Sequence, residues 1–122
     1  MTSTPVLIVE DDQSIREALQ WALEDEGYTV ATAPHGAAAL EMLPALQPCV
    51  ILVDLRMPIM DGQQFVAAYR ELPGQHAPVI VLSAARDLPD ATANLAAEGF
   101  IEKPFEIDLV LDTVAQFAEF SR

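Results

Sequence analysis

The stretch "VLIVEDDQSIREALQWALEDEG", residues 6–27, changes character twice. Val6–Val9 is a short apolar, mostly β-branched run, which reads as a strand buried on both faces. Glu10, Asp11 and Asp12 follow at once. Ile15, Ala18, Leu19, Ala22 and Leu23 then recur at helical spacing until Gly27 stops the helix. Asp12 and Ser14 compete to cap that helix, and Ser14 with Glu17 has the spacing of a capping box. Like charges as close as these acids repel. Either the three carboxylates point into water or they hold a cation.

The same alternation runs on. Residues 28–32 read as a β-branched second strand, and Gly36–Leu46 as an alanine-rich helix closed off by Pro48. Residues 50–53 form a continuous apolar run, hence a central strand, and 62–72 a helix ending at Pro73 and Gly74. A fourth strand is expected over 78–82, a short helix over 89–97, a brief fifth strand over 100–102 and a last helix over 105–120. Five strands alternating with five helices imply right-handed crossovers and a mostly parallel sheet covered on both faces. Ligands of such sheets bind at the carboxyl ends of the strands.

Composition narrows the function. The 122 residues suit one domain, and 52% of them are apolar, enough for a full core. No apolar run approaches the roughly 18 residues of a membrane span. The first residues lack the basic region of a secretory signal. The single cysteine, Cys49, forms no internal disulfide and reads as a small hydrophobe. Together these features point to the cytoplasm. Net charge is −13, and the six basic residues (Arg16, Arg56, Arg70, Arg86, Lys103 and Arg122) are scattered along the chain. Phosphate backbones need clustered Lys and Arg, so nucleic acid and anionic membranes are not expected as direct partners.

The strand ends carry the chemistry. Strand one ends in Glu10, Asp11 and Asp12, strand three in Asp54, strand four in Ser83, and strand five in Lys103 followed by Pro104. Hard oxygen ligands beside one ammonium suit Mg²⁺ together with a phosphoryl group. A carboxylate can be the nucleophile that forms an acyl phosphate. Lys103 is the only lysine in the chain, as befits a compact ammonium reaching one oxygen from a buried stem.

With "LIVEDD", "LVDLRMPIMDG", "VIVLSA" and "GFIEKPF" in this order, the sequence resembles the receiver domain of two-component response regulators over nearly its whole length. The resemblance implies one receiver domain over residues 1–122, with a flavodoxin-like (βα)5 fold and strand order 2-1-3-4-5. It implies that Asp54 accepts the phosphoryl group, and that Glu10 and Asp11 hold Mg²⁺ with Asp54 and the backbone carbonyl of Arg56. Asp11 is the more direct metal ligand of the acidic pair. Asp12 is accessory. Ser83 would donate its hydroxyl to a phosphoryl oxygen, and Lys103 would pair with the phosphate and with resting Asp54. Pro104 would follow a cis peptide bond, and Phe100 stands at the switch-aromatic position. The implied donor is a sensor histidine kinase, a phosphotransfer protein or a small acyl phosphate. The implied role is a signalling switch that catalyses only its own phosphorylation and dephosphorylation.

Simpler readings exist for each residue. Asp54 or Ser83 can cap the following segment, Lys103 can be a surface charge, and Phe100 can merely pack. Trp21 and the methionines Met42, Met57 and Met60 read as core or loop packing, and His35 and His76 lack metal-ligand spacing. Two other functions compete. Aspartyl-phosphate phosphatases usually carry a second acid two residues after the nucleophile, where this chain has Arg56. A phosphorylation-independent pseudo-receiver would have lost the acids or the lysine, and none is lost. The chain departs from the family between Ser83 and Lys103, which is about two residues short, and in its acidic last helix. That helix lacks the basic residues of relatives that dimerise there. No length remains for an effector domain, so a stand-alone receiver and a piece of a longer regulator are both compatible with the sequence.

Overall fold

The computed structural model describes residues 5–57, 59–74, 76–84 and 97–120. Its strands are β1 (Val6–Val9), β2 (Val30–Ala33), β3 (Val50–Asp54), β4 (Val79–Ala84) and β5 (Gly99–Lys103). The helices among the described residues are α1 (Gln13–Asp25), α2 (Gly36–Leu46), α3 (Gly62–Glu71) and α4 (Ile107–Phe120). All strand pairs are parallel, in the order β2-β1-β3-β4-β5. This is the doubly wound, flavodoxin-like sheet expected from the alternation and the motifs. The helix expected over 89–97 lies outside the described residues, apart from Ala97.

Strand pleating divides the core into two layers. Leu7, Val9, Ile51, Val53, Val79 and Val81 meet Ala39 and Leu43 of α2 and Phe65, Val66 and Tyr69 of α3. Val6, Ile8, Val50, Leu52, Ile80 and Leu82 meet Leu19 and Leu23 of α1 and Val110 and Val114 of α4. The central strands are apolar at every position because both of their faces are covered. Beyond β1 the alternation continues. Asp54, Lys103 and Glu10, the residue after β1, fall in phase with the layer beneath α1 and α4, whereas Ser83 falls in phase with the other.

Several local expectations shift. Asp12, not Ser14, caps α1: its backbone is extended and its carboxylate accepts the Ile15 N–H at 3.0 Å. The helix therefore starts at Gln13, and Glu17 accepts a hydrogen bond from Gln13 instead of closing a box on Ser14. β2 begins at Val30 because Tyr28 still belongs to the turn, its N–H donating to the Leu23 carbonyl. β4 extends through Ser83 to Ala84, since these residues pair with Glu102 and Lys103 of β5. α3 ends at Glu71, and α4 starts at Ile107. Trp21 is 71% exposed and not in the core, because it projects from the side of α1 opposite Leu19 and Leu23. Cys49 is half-buried.

Candidate phosphoryl and metal site

Register brings the polar strand ends together. Val9 pairs with Val53, so the next residues, Glu10 and Asp54, stand side by side where β1 and β3 end. Lys103 closes β5 two strands away, and its long stem spans the end of β4. The Lys103 Nζ lies 3.0 Å from Asp54 Oδ1 and 3.4 Å from Glu10 Oε1. One carboxylate oxygen each from Glu10, Asp11 and Asp54 lie within 4.8 Å of one another. Glu10 is fully buried, Asp54 is 6% exposed and Asp11 is exposed, so the cluster opens to solvent on the Asp11 side.

The loops around this cluster are fixed by backbone hydrogen bonds. Asp12 N–H donates to Glu10 Oε2 at 3.2 Å, holding the first acid while the Asp12 side chain caps α1. After β3 the chain turns back sharply. Gly62 N–H donates to the Leu55 carbonyl at 2.8 Å, and Asp61 and Gln64 form a reciprocal cap on α3. A Cβ on Gly62 would come 2.6 Å from the Asp54 carbonyl and 2.8 Å from the Leu55 Cα, both backbone atoms that cannot step aside. Gly62→Ala should therefore displace the end of β3 and destabilise the protein by about 1–3 kcal/mol, read as a lower urea midpoint at unchanged slope.

The other sequence candidates lie on β4, on β5 and in the loops after β3 and β5. Ser83 is buried at the end of β4, its hydroxyl donating to the Ala84 carbonyl at 3.1 Å. Arg56 follows β3 in the loop, with its side chain exposed. Phe100 is half-buried on β5, opposite Val81, and packs into the layer of α2 and α3. The Lys103–Pro104 peptide bond is cis. Ala85, Arg86 and Pro58 lie outside the described residues. Sequence reading missed two supporting residues. Arg16 Nη1 donates to the Glu10 carbonyl at 2.8 Å, and His35 caps α2 by accepting the Ala38 N–H at 3.1 Å. His35 was legible as a residue before a glycine at a helix start; Arg16 carried no local signal.

The model for the response regulator receiver domain matches residues 6–115. The chain belongs to that family. It is 34% identical over 111 residues to "Response regulator MprA" of Mycobacterium ulcerans (strain Agy99), a match covering 89% of this chain and 47% of the relative. It is 40% identical over 105 residues to "Transcriptional regulatory protein CseB" of Streptomyces coelicolor, covering 84% and 44%. The receiver thus spans about half the length of these curated relatives. Among solved structures it is similar to the signal receiver domain of a signal transduction histidine kinase from Syntrophus aciditrophicus, with TM-score 0.88 and 29% identity over 97% of this chain and 92% of that one. Vibrio cholerae chemotaxis protein CheY4 matches with TM-score 0.79 and 30% identity over 95% and 99%.

Electrostatics in the receiver's pocket are lopsided. Burial, then the neighbouring Asp54 charge, push the Glu10 carboxyl up from 4.5 to about 7, against the pull of the Asp12 N–H and the Lys103 charge. For Lys103 burial works against the charged form. The hydrogen bond to Asp54 and the charges of Asp54 and Glu10 outweigh it, and its ammonium is held above its usual value. Three carboxylates thus face one ammonium. A donor set of hard oxygens with surplus negative charge fits Mg²⁺, whose charge would offset the repulsion among the carboxylates.

A stability prediction follows for the metal-free receiver. Unfolded Glu10 loses its proton near 4.5, whereas folded Glu10 keeps it to about 7. Across that window the native state binds more protons than the unfolded state, so this group's contribution falls as pH rises. In chelator, the wild-type melting temperature should fall more steeply between those values than that of Glu10→Gln. Parallel profiles would remove Glu10 as the cause. Among the described residues, no helix is long and apolar enough to cross a membrane.

Proposed function

We propose that this receiver accepts a phosphoryl group on Asp54 and uses it to switch a protein-interaction surface. The observation that carries the reading is the convergence of Glu10, Asp11, Asp54 and Lys103 from the ends of β1, β3 and β5 on one cluster, open to solvent at Asp11. The proposed donor is a phosphohistidine on a sensor kinase or phosphotransfer protein, or a small acyl phosphate. A carboxylate oxygen of Asp54 attacks phosphorus, and the bond from phosphorus to the donor nitrogen or oxygen breaks. The leaving imidazole or carboxylate takes the electron pair. The product is an acyl phosphate that water later hydrolyses back to the carboxylate.

The chain's own groups supply position and charge. Lys103 already lies on Asp54 Oδ1 and can follow the charge onto an incoming phosphoryl oxygen. Ser83 would exchange its bond to the Ala84 carbonyl for one to the phosphoryl group. Glu10, Asp11, Asp54 and the Arg56 carbonyl are the proposed Mg²⁺ ligands, and the ion would neutralise phosphoryl oxygens during transfer. Asp12 keeps its place as the helix cap beside them. Movement of Ser83 would leave room for Phe100 to turn inward, biasing a two-state surface around β5. The proposed setting is cytoplasmic, with a sensor kinase upstream and an output partner reached through the switched surface.

The direct test is intact-mass analysis after incubation with a small acyl phosphate. One added phosphoryl group that requires Mg²⁺ and disappears in chelator is expected. No added mass under any metal condition would favour a phosphorylation-independent interaction module. Steady turnover of a phosphate ester would favour a phosphatase.

A further inference from the structure

The Glu10 carbonyl poses an accounting problem. Glu10 is fully buried, and it lies one residue beyond the end of β1. Its N–H still reaches the Ala33 carbonyl at 3.1 Å, but Glu10 takes no part in the strand registers on either side. A buried carbonyl without a partner is costly. Arg16, half-buried in the first turn of α1, supplies the partner. Its Nη1 donates to Glu10 O at 2.8 Å and reaches Asp11 O at 3.5 Å, the outer limit of a hydrogen bond. One guanidinium thus ties α1 to the backbone of both first-strand acids. The Arg16 N–H meanwhile donates to the Asp12 carbonyl at 2.9 Å, so the residue touches all three members of the acidic turn.

We infer that Arg16 is a positioning residue for the metal pocket: through the backbone carbonyls of Glu10 and Asp11 it fixes where those two carboxylates stand. This rests on the metal site proposed above. Both contacts leave Nη1, one arm of the guanidinium fork, whose planar N–H bonds are fixed in direction, whereas an ammonium on a flexible stem acts as a point charge. Partners of metal ligands commonly govern affinity without touching the ion.

Two effects of Arg16 on a bound cation have opposite signs, which makes the inference testable. Its positive charge opposes a dication, so electrostatics alone predicts tighter Mg²⁺ binding when the charge is removed. Its hydrogen bonds order the acids, so positioning predicts weaker binding when the fork is removed. Arg16→Met removes charge and fork while keeping an apolar stem over α1. Arg16→Lys keeps the charge and loses the fork.

The experiment is calorimetric titration of metal-free protein with Mg²⁺, with amide exchange at residues 10–13 followed in parallel. Positioning predicts that both variants bind Mg²⁺ about tenfold more weakly. It also predicts faster exchange at those amides, unchanged exchange in β4, and recovery of full phosphorylation once Mg²⁺ is raised to saturation. Unchanged or tighter binding in Arg16→Met would overturn the inference while leaving the metal site intact. Global unfolding of both variants would also overturn it, assigning Arg16 to the fold alone. Failure of the wild type to bind Mg²⁺ is the separate result that removes the site itself.

Discussion

Asp54→Asn should lose labelling by a small acyl phosphate entirely, down to background, while staying folded. The amide has nearly the shape of the carboxylate, and its oxygen can still accept from Lys103, now 3.0 Å from Asp54 Oδ1. It cannot become an acyl phosphate, because the neutral amide lacks the second oxygen and the negative charge of the carboxylate nucleophile. The substitution has a second consequence that needs no phosphodonor. The Asp54 charge is one of the forces raising Glu10 to about 7, so the Glu10 carboxyl should titrate lower in the variant. Carbon-detected NMR of the side-chain carboxyl would follow it. Persisting label in Asp54→Asn would move the phosphoryl acceptor elsewhere.

Lys103→Met should slow phosphoryl transfer by about 100- to 1,000-fold at saturating Mg²⁺, the usual loss when one preorganised donor to a developing charge is removed. The methionine keeps most of the stem that crosses the end of β4. The effect is therefore one of charge, measured as the initial rate of mass gain. Metal-free Lys103→Met should also be less stable than wild type near neutral pH, because Glu10 and Asp54 then face each other without the ammonium between them. A transfer rate within a fewfold of wild type would mean that Lys103 anchors resting Asp54 and does little during the reaction.

Much of this arrangement was written locally. The apolar runs at 6–9 and 50–53 mark central strands because only strands covered on both faces need apolar residues at every position. A carboxylate directly after such a run must then emerge at the sheet's rim, which is how Asp54 stood out. The solitary Lys103 was informative because its neighbours in charge type are all arginines. What stayed illegible depended on longer-range or finely balanced choices. Asp12 and Ser14 are comparable caps, and the choice rests on the extended backbone of Asp12, whose N–H donates to the Glu10 carboxylate. The two-residue delay of β2 comes from Tyr28 closing the turn after α1, a competition that β-propensity alone does not register. Ser83 belongs to β4 because β5 is there to pair with it. Trp21 looked like core material by type, yet its helical phase turns it to solvent. Arg16 reads as an ordinary surface charge until the Glu10 carbonyl beside it is seen to be buried and beyond the sheet.

The most direct measurement is to trap the phosphorylated receiver with borohydride, which reduces an acyl phosphate to an alcohol, and to locate the altered residue by tandem mass spectrometry. The pocket built by Glu10, Asp11, Asp54 and Lys103 predicts one reduced side chain, at position 54, formed only when Mg²⁺ was present. Reduction at Glu10 or Asp11, or phosphate recovered on a hydroxyl such as Ser83 with Asp54 untouched, would contradict it.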